Sequence, residues 1–283
     1  MSSLIAILAK LGTPAYLQDY LPGIHSLPFH TRGGISGLGV IADTVDAGTR
    51  LSIILPSALE SGMAAHRKAE SKIDAGDAVL SGWLEVPANA SGVVVFAHGS
   101  GSSRFSKRNN AVARHLRDAG LATLLFDLLT AEEDRVDAVT REYRFDISLL
   151  SRRLTGATQW LIDQSSVENL PIGLFGSSTG AAAALIVAAS EPQQIAAVVS
   201  RGGRADMAGD FLPHVRAPTL LIVGGADTEV LRLNRNARDK MKCIAEIAVV
   251  DRATHLFSEP GALEQVEALA GNWFLRHLRP GSA

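Results

Sequence analysis

Gly173-Leu174-Phe175-Gly176-Ser177-Ser178-Thr179-Gly180 holds, between Gly176 and Gly180, the pattern G-x-S-x-G. In that pattern a serine stands on a sharp strand-to-helix turn, and the flanking glycines let the neighbouring strand and helix come close. The hydroxyl then faces a helix N-terminus, whose partial positive charge favours a developing oxyanion. Five residues with three fixed positions also recur by chance, as a Ser/Gly loop that merely joins two elements, so the surroundings must decide. Before the turn lies Leu170-Pro171-Ile172-Gly173-Leu174-Phe175, a short apolar run opened by proline, which suits a buried strand. After it, Ala181 to Ala189 is a run of strong helix formers, small enough to pack close to a sheet. Strand, turn and helix are all present in the order the motif requires.

Outward from this turn, from about Ser71, β-branched runs alternate with segments of helical period, the pattern of an α/β fold with a mostly parallel sheet. Ala78 to Pro87 alternates apolar and polar residues, as an outer antiparallel strand does, and Val93-Val94-Val95-Phe96-Ala97 is continuously apolar, as a strand covered on both faces is. Further strands are expected over Leu121–Phe126, Ile195–Val199, Thr219–Val223 and Ile244–Val250. Helices are expected over Arg104–Ala119, Ile147–Asp163, Glu229–Met241 and Ala262–Leu278.

Residues 1–70 break this rhythm. Gly23, Pro28, Gly33, Gly34, Gly37 and Gly39 interrupt any long element. They read as an irregular extension ahead of a domain over 71–283. Either the extension is loosely packed, or residues 1–62 are upstream sequence ahead of a natural start at Met63, which explains the change of pattern better. Val40 to Thr49 faintly resembles the phosphate- and ribose-binding loop of phosphoribosyltransferases, but Thr44 and Ala47 stand where that loop carries an acid and a threonine.

Lys plus Arg number 27 against 29 Asp plus Glu, a formal charge of −2, so no overall basic field draws the chain to nucleic acid or anionic lipid. No apolar run approaches the ~20 residues that span a bilayer, and Met1 to Lys10 lacks the positive start of a signal peptide. The single Cys243 excludes an internal disulfide framework and reads as a small buried hydrophobe; a cytoplasmic location is expected. No metal motif is present and no cofactor is expected.

A nucleophilic serine needs a base and an acid that orients it, in the chain order Ser, Asp or Glu, His. Asp227 follows Gly224-Gly225-Ala226 at the end of one expected strand, and His255 lies just past the last. Loops at the carboxyl ends of such strands converge on one crevice. Glu229 and Asp251 are the competing acids, while His214 and His277 lie in or beside helices and read as surface residues. Thr179 N–H is the first expected oxyanion donor. The second comes from His98-Gly99-Ser100-Gly101-Ser102-Ser103: Ser100 N–H, with Gly99 or Gly101 as alternatives, and His98 taking a structural role.

Together, Val93 to Ser103, Leu125 to Thr130, Gly176 to Gly180, Ser200-Arg201-Gly202-Gly203-Arg204 and Ala253 to Phe257 resemble the α/β-hydrolase superfamily, in its dienelactone hydrolase-like branch. The resemblance covers roughly residues 71 to 278. It implies an eight-stranded, mostly parallel sheet flanked by helices, the triad Ser178, Asp227 and His255, and hydrolysis through an acyl-enzyme. Dienelactone hydrolases proper use cysteine as nucleophile; Ser178 stands there here, so dienelactone does not carry over as substrate. The short connection from Ser200 to Thr219 leaves no room for a large lid domain, which suits small or exposed acyl groups of a small-molecule ester. A thioesterase or peptidase with the same triad, or a non-catalytic binding protein, are the competing readings. Arg201, Arg204 and Arg104 are candidates for an anionic part of the substrate, unless they form ion pairs with Asp127 or Asp146.

Overall fold

The computed structural model describes residues 39–45, 48–54 and 67–278. The chain divides into two compact units, Met1–Ala64 and Ala65–Ala283. In the first, β1 (Gly39–Val45) and β2 (Gly48–Ile54) form an antiparallel hairpin. The substring Val40 to Thr49 therefore runs from strand into strand, not from a strand into a helix N-terminus where a phosphate would be held. The readings of residues 1–38 and of the start at Met63 fall outside the described residues.

The second unit carries an eight-stranded sheet. Its strands are β3 (Arg67–Asp74), β4 (Val79–Val86), β5 (Val93–Ala97), β6 (Ala122–Phe126), β7 (Ile172–Ser177), β8 (Ile195–Arg201), β9 (Thr219–Gly224) and β10 (Ala245–Val250). They lie in the order β10-β9-β8-β7-β5-β6-β4-β3. Only β3 and β4 run antiparallel to their neighbours. Seven of these strands are legible as apolar or alternating runs. β3, with Arg67, Lys68, Glu70, Lys72 and Asp74, is not, because charges are what natural sheets place on an exposed edge.

The helices are α1 (Lys107–Asp118), α2 (Ala131–Thr140), α3 (Ile147–Ile162), α4 (Thr179–Ser190), α5 (Thr228–Arg238) and α6 (Ala262–His277). On one face of the sheet α1 and α6 bury Val112, Leu116, Val266, Trp273 and Phe274. On the other, α3 and α4 bury Leu150, Leu154, Ala157, Leu185 and Ala188. α4 is buried almost all round, which its alanines allow because a helix without bulky side chains approaches the sheet closely. Between β8 and β9 the chain makes only a 3-10 segment, Ala205–His214. β5, β7, β8, β9 and β10 run parallel, so their carboxyl ends share one edge of the sheet, and the functional loops issue from that edge.

Candidate active site

Ser178 links β7 to α4 with φ 51° and ψ −121°, a left-handed-side conformation that costs a non-glycine residue of order 1–3 kcal/mol. Its surroundings over-determine it. Its N–H donates to Arg201 O at 3.3 Å, and its carbonyl accepts from Ala181 N–H at 3.1 Å and Arg204 N–H at 3.0 Å. The glycines on either side are demanded by contact. A Cβ on Gly176 would stand 2.4 Å from Ala181 Cα, and one on Gly180 would stand 2.3 Å from Ala97 O and 2.5 Å from His98 O. The strand-to-helix turn read from Gly176 to Gly180 is thus what the fold contains, with the serine at its apex.

Asp227 follows β9 and caps α5, and His255 lies in the loop after β10. His255 Nδ1 is 2.7 Å from Asp227 Oδ2. With Nδ1–H donating to the carboxylate, Nε2 is left as an acceptor. The Asp227 side chain is 16% exposed and that of His255 40%, so the acid is shielded while the imidazole meets the crevice. The competing acids go elsewhere: Glu229 pairs with Arg232 and Asp251 with Arg252, both at the surface. Ser178 and His255 line one cavity of about 190 Å³ together with Gly99, Ser100, Ser102, Ser106, Arg108, Ser177, Arg201 and Leu256. Larger cavities of about 550 and 880 Å³ lie away from these groups, the former against the first residues of β5, β7 and β8, at the opposite edge of the sheet.

The loop after β5 comes against Ser178, for a Cβ on Gly99 would lie 3.0 Å from Ser178 Cβ. Ser100 Oγ donates to Arg144 O at 3.1 Å and lies 2.9 Å from Thr179 Oγ1, so the threonine hydroxyl donates to it. The two residues expected to offer oxyanion N–H groups are thereby joined side chain to side chain. Thr179 opens α4, where a helix leaves its first N–H groups unpaired. Arg144 is itself fixed: the buried Asp137 carboxylate accepts from the N–H groups of Tyr143 and Arg144 and from Arg144 Nε at 2.7 Å. Burial pushes the Asp137 carboxyl up, but these bonds outweigh it and hold it below its usual range.

His98 has the structural place expected of it. Leu128 N–H donates to Nε2 at 3.0 Å, so Nδ1 carries the proton and donates to Gly99 O at 3.0 Å. Burial lowers its pKa against the opposing bond to Gly99, which keeps the ring neutral.

The arginine candidates separate. Arg104 is drawn off: its N–H and guanidinium bind Asp127, and the guanidinium lies against the rings of Trp83 and Phe105, so it does not line the cavity. Arg204 forms a bidentate pair with Asp206. Arg201 alone of the three reaches the cavity. It is 7% exposed, and its contacts are Asn109 Oδ1 at 3.3 Å and the face of Phe257. Burial, then the nearby Arg108, pull its pKa down to about 10, which leaves it a cation at neutral pH. Asn109 was not legible as part of the site: from α1 it accepts from Arg201 and lies 3.5 Å from Ser177 Oγ. Nor was Arg108, though the unbroken basic and amide run Lys107-Arg108-Asn109-Asn110 at a helix start was a signal.

The sheet order and the serine turn define an α/β hydrolase. The chain belongs to the dienelactone hydrolase family, whose model matches residues 80–275, and it is a hydrolase of that family. A dienelactone hydrolase from Anabaena variabilis is 51% identical, with a TM-score of 0.75, over 76% of this chain and 99% of its own. Est1E from Butyrivibrio proteoclasticus, 16% identical over 74% of this chain and 98% of its own with a TM-score of 0.62, shares the fold. A Mycobacterium tuberculosis protein with the provisional name phosphoribosyl transferase is 54% identical over 212 residues, 75% of this chain. The match spans about half that relative's length, 47%. Among the described residues no cluster of His, Cys, Asp or Glu is placed to hold a metal ion, and no helix is long and apolar enough to cross a membrane.

Proposed function

We propose that the chain cleaves small-molecule carboxylic esters with small or exposed acyl groups through an acyl-enzyme on Ser178. Ser178 Oγ attacks the ester carbonyl as His255 Nε2 takes its proton; the alcohol leaves with that proton, and water, deprotonated by the same nitrogen, releases the acid. Asp227 orients the imidazole and stabilises its charged form. The N–H groups of Thr179 and Ser100 receive the oxyanion. The observation that carries this reading is the 2.7 Å His255–Asp227 contact beside a serine held at positive φ in the same cavity.

On this reading residues 71–283 carry the activity, without metal or cofactor, in a cytoplasmic protein that engages neither nucleic acid nor membrane. The name of the mycobacterial relative is not carried over: the acyl chemistry above needs only groups of the matched fold, and the hairpin over Gly39–Ile54 is no strand-to-helix phosphate site. The test is hydrolysis of p-nitrophenyl acetate and labelling by a fluorophosphonate. Ser178→Ala is expected to lose at least ~10³-fold in kcat and all labelling; a wild type without turnover, or a variant that retains it, defeats the reading.

A further inference from the structure

The cavity that holds Ser178 carries positive charge that no carboxylate among the described residues answers. Arg201 and Arg108 both line it. Among the described residues neither forms an ion pair with a carboxylate, whereas Arg104, Arg117, Arg144, Arg153 and Arg204 all do. The Nε atoms of Arg201 and Arg108 are buried without a hydrogen-bond partner, as are those of Arg104, Arg117 and Arg153, so what sets the cavity pair apart is the missing counter-charge. Arg108 is partly exposed, but a guanidinium as withdrawn from water as that of Arg201 is costly unless an anion reaches it.

The second observation is independent and lies in α1. Lys107 and Arg108 are its first two helical residues, and no acid stands in its first turn. A helix N-terminus already carries about half a positive charge, so cations there are locally unfavourable. Ser106, the N-cap, lines the same cavity. A violation of local preference beside a buried unpaired cation is what a ligand site leaves behind when the ligand is absent from the chain. Two guanidiniums and a helix N-terminus exceed the charge of one carboxylate; they match a dianion with several acceptor oxygens.

We propose that Arg201 and Arg108, at the N-terminus of α1, form a subsite for a phosphate monoester group borne by the substrate, so that the ester cleaved at Ser178 belongs to a small phosphorylated molecule. The subsite shares a cavity of about 190 Å³ with the nucleophile, so phosphate and ester are separated by only a few atoms. The guanidiniums bind the phosphate oxygens by charge-assisted hydrogen bonds and hold the carbonyl over Ser178. The inference rests on the serine-hydrolase reading for its substrate but not for its binding site.

Three acetate esters test it: those of ethylene glycol phosphate, of hydroxypropionate and of ethanol, which are dianionic, monoanionic and neutral. The phosphate ester is expected to exceed the neutral one in kcat/KM by about tenfold or more, as charge-assisted bonds allow, with the carboxylate between. Inorganic phosphate should inhibit p-nitrophenyl acetate hydrolysis competitively and raise the Tm of the wild type. Arg108→Gln, at a partly exposed position, should compress the phosphate-to-neutral ratio by about tenfold and abolish the Tm shift; Arg201→Met should do the same if it folds. Equal kcat/KM on the three esters, preference for the carboxylate over the phosphate, or an Arg108→Gln ratio equal to that of wild type overturns the proposal. If no ester is turned over, the serine reading has failed, and the phosphate-dependent Tm shift alone decides the subsite: present and sensitive to Arg108→Gln it stands, absent it falls.

Discussion

Arg153 and Arg201 are almost equally withdrawn from solvent, at 4% and 7% exposure, and their surroundings are opposite. Arg153, on α3, binds Glu133 at 2.6 Å and lies 3.4 Å from Asp77. Glu133 also closes the capping box of α2 with Thr130, so this arginine ties α2, α3 and the β3–β4 turn together. Arg201, at the end of β8, has an amide and an aromatic face for company and no carboxylate among the described residues. Both keep buried nitrogens without a hydrogen-bond partner, but the fold supplies a counter-charge in one place and none in the other. Burial depth alone does not separate a structural cation from a ligand-binding one; the presence of a counter-charge does.

That contrast can be broken most directly by stability. Arg153→Met should cost about 3 kcal/mol, near the lower end for stripping a buried pair because Glu133 is partly solvated. In a domain of this size that is a fall in Tm of roughly 6–12 °C. Arg201→Met removes a charge that no carboxylate compensates and should change unfolding free energy by less than ~1 kcal/mol, or raise it. Denaturant melts of both variants check the pair; equal losses would place Arg201 in the structural class.

His98 sharpens the comparison with a group that burial keeps neutral instead of charged. Its folded pKa lies below the ordinary 6.5, so as pH falls through 6.5 the unfolded chain takes up a proton that the folded chain refuses, and stability declines. The contribution is zero above that range and cannot exceed about 1.4 kcal/mol per pH unit. His98→Gln, which keeps an acceptor for Leu128 N–H, should flatten this part of the acid limb in denaturation series run at neutral and mildly acidic pH. An unchanged slope would mean that His98 takes up its proton as readily in the fold as in the unfolded chain.

The strand-turn-helix at Ser178, the acid after β9 and the imidazole after β10 were legible because each is dictated by chain-local patterning: apolar runs, glycines in contact and loops at strand ends. β3 and α2 were not. β3 is an edge whose charges mask its period, and α2 buries no apolar stripe, with Asp137 its single buried residue and the Thr130–Glu133 capping box its one sequence mark. The arginines show the same limit from the other side. That Arg104 finds Asp127 while Arg201 finds no acid depends on which side chains from distant elements meet, and spacing along the chain does not encode that.

Gly180 has a consequence for how such a site changes over time. Its main chain lies so close to the carbonyls of Ala97 and His98 that a single methyl would not fit. The start of α4 and the loop after β5 therefore have their spacing set by backbone against backbone. The crevice-lining residues Arg108, Arg201 and Leu256 are not among the atoms that set that contact. They can be exchanged for others, and differently lined crevices can be built around the same backbone frame at Ser178.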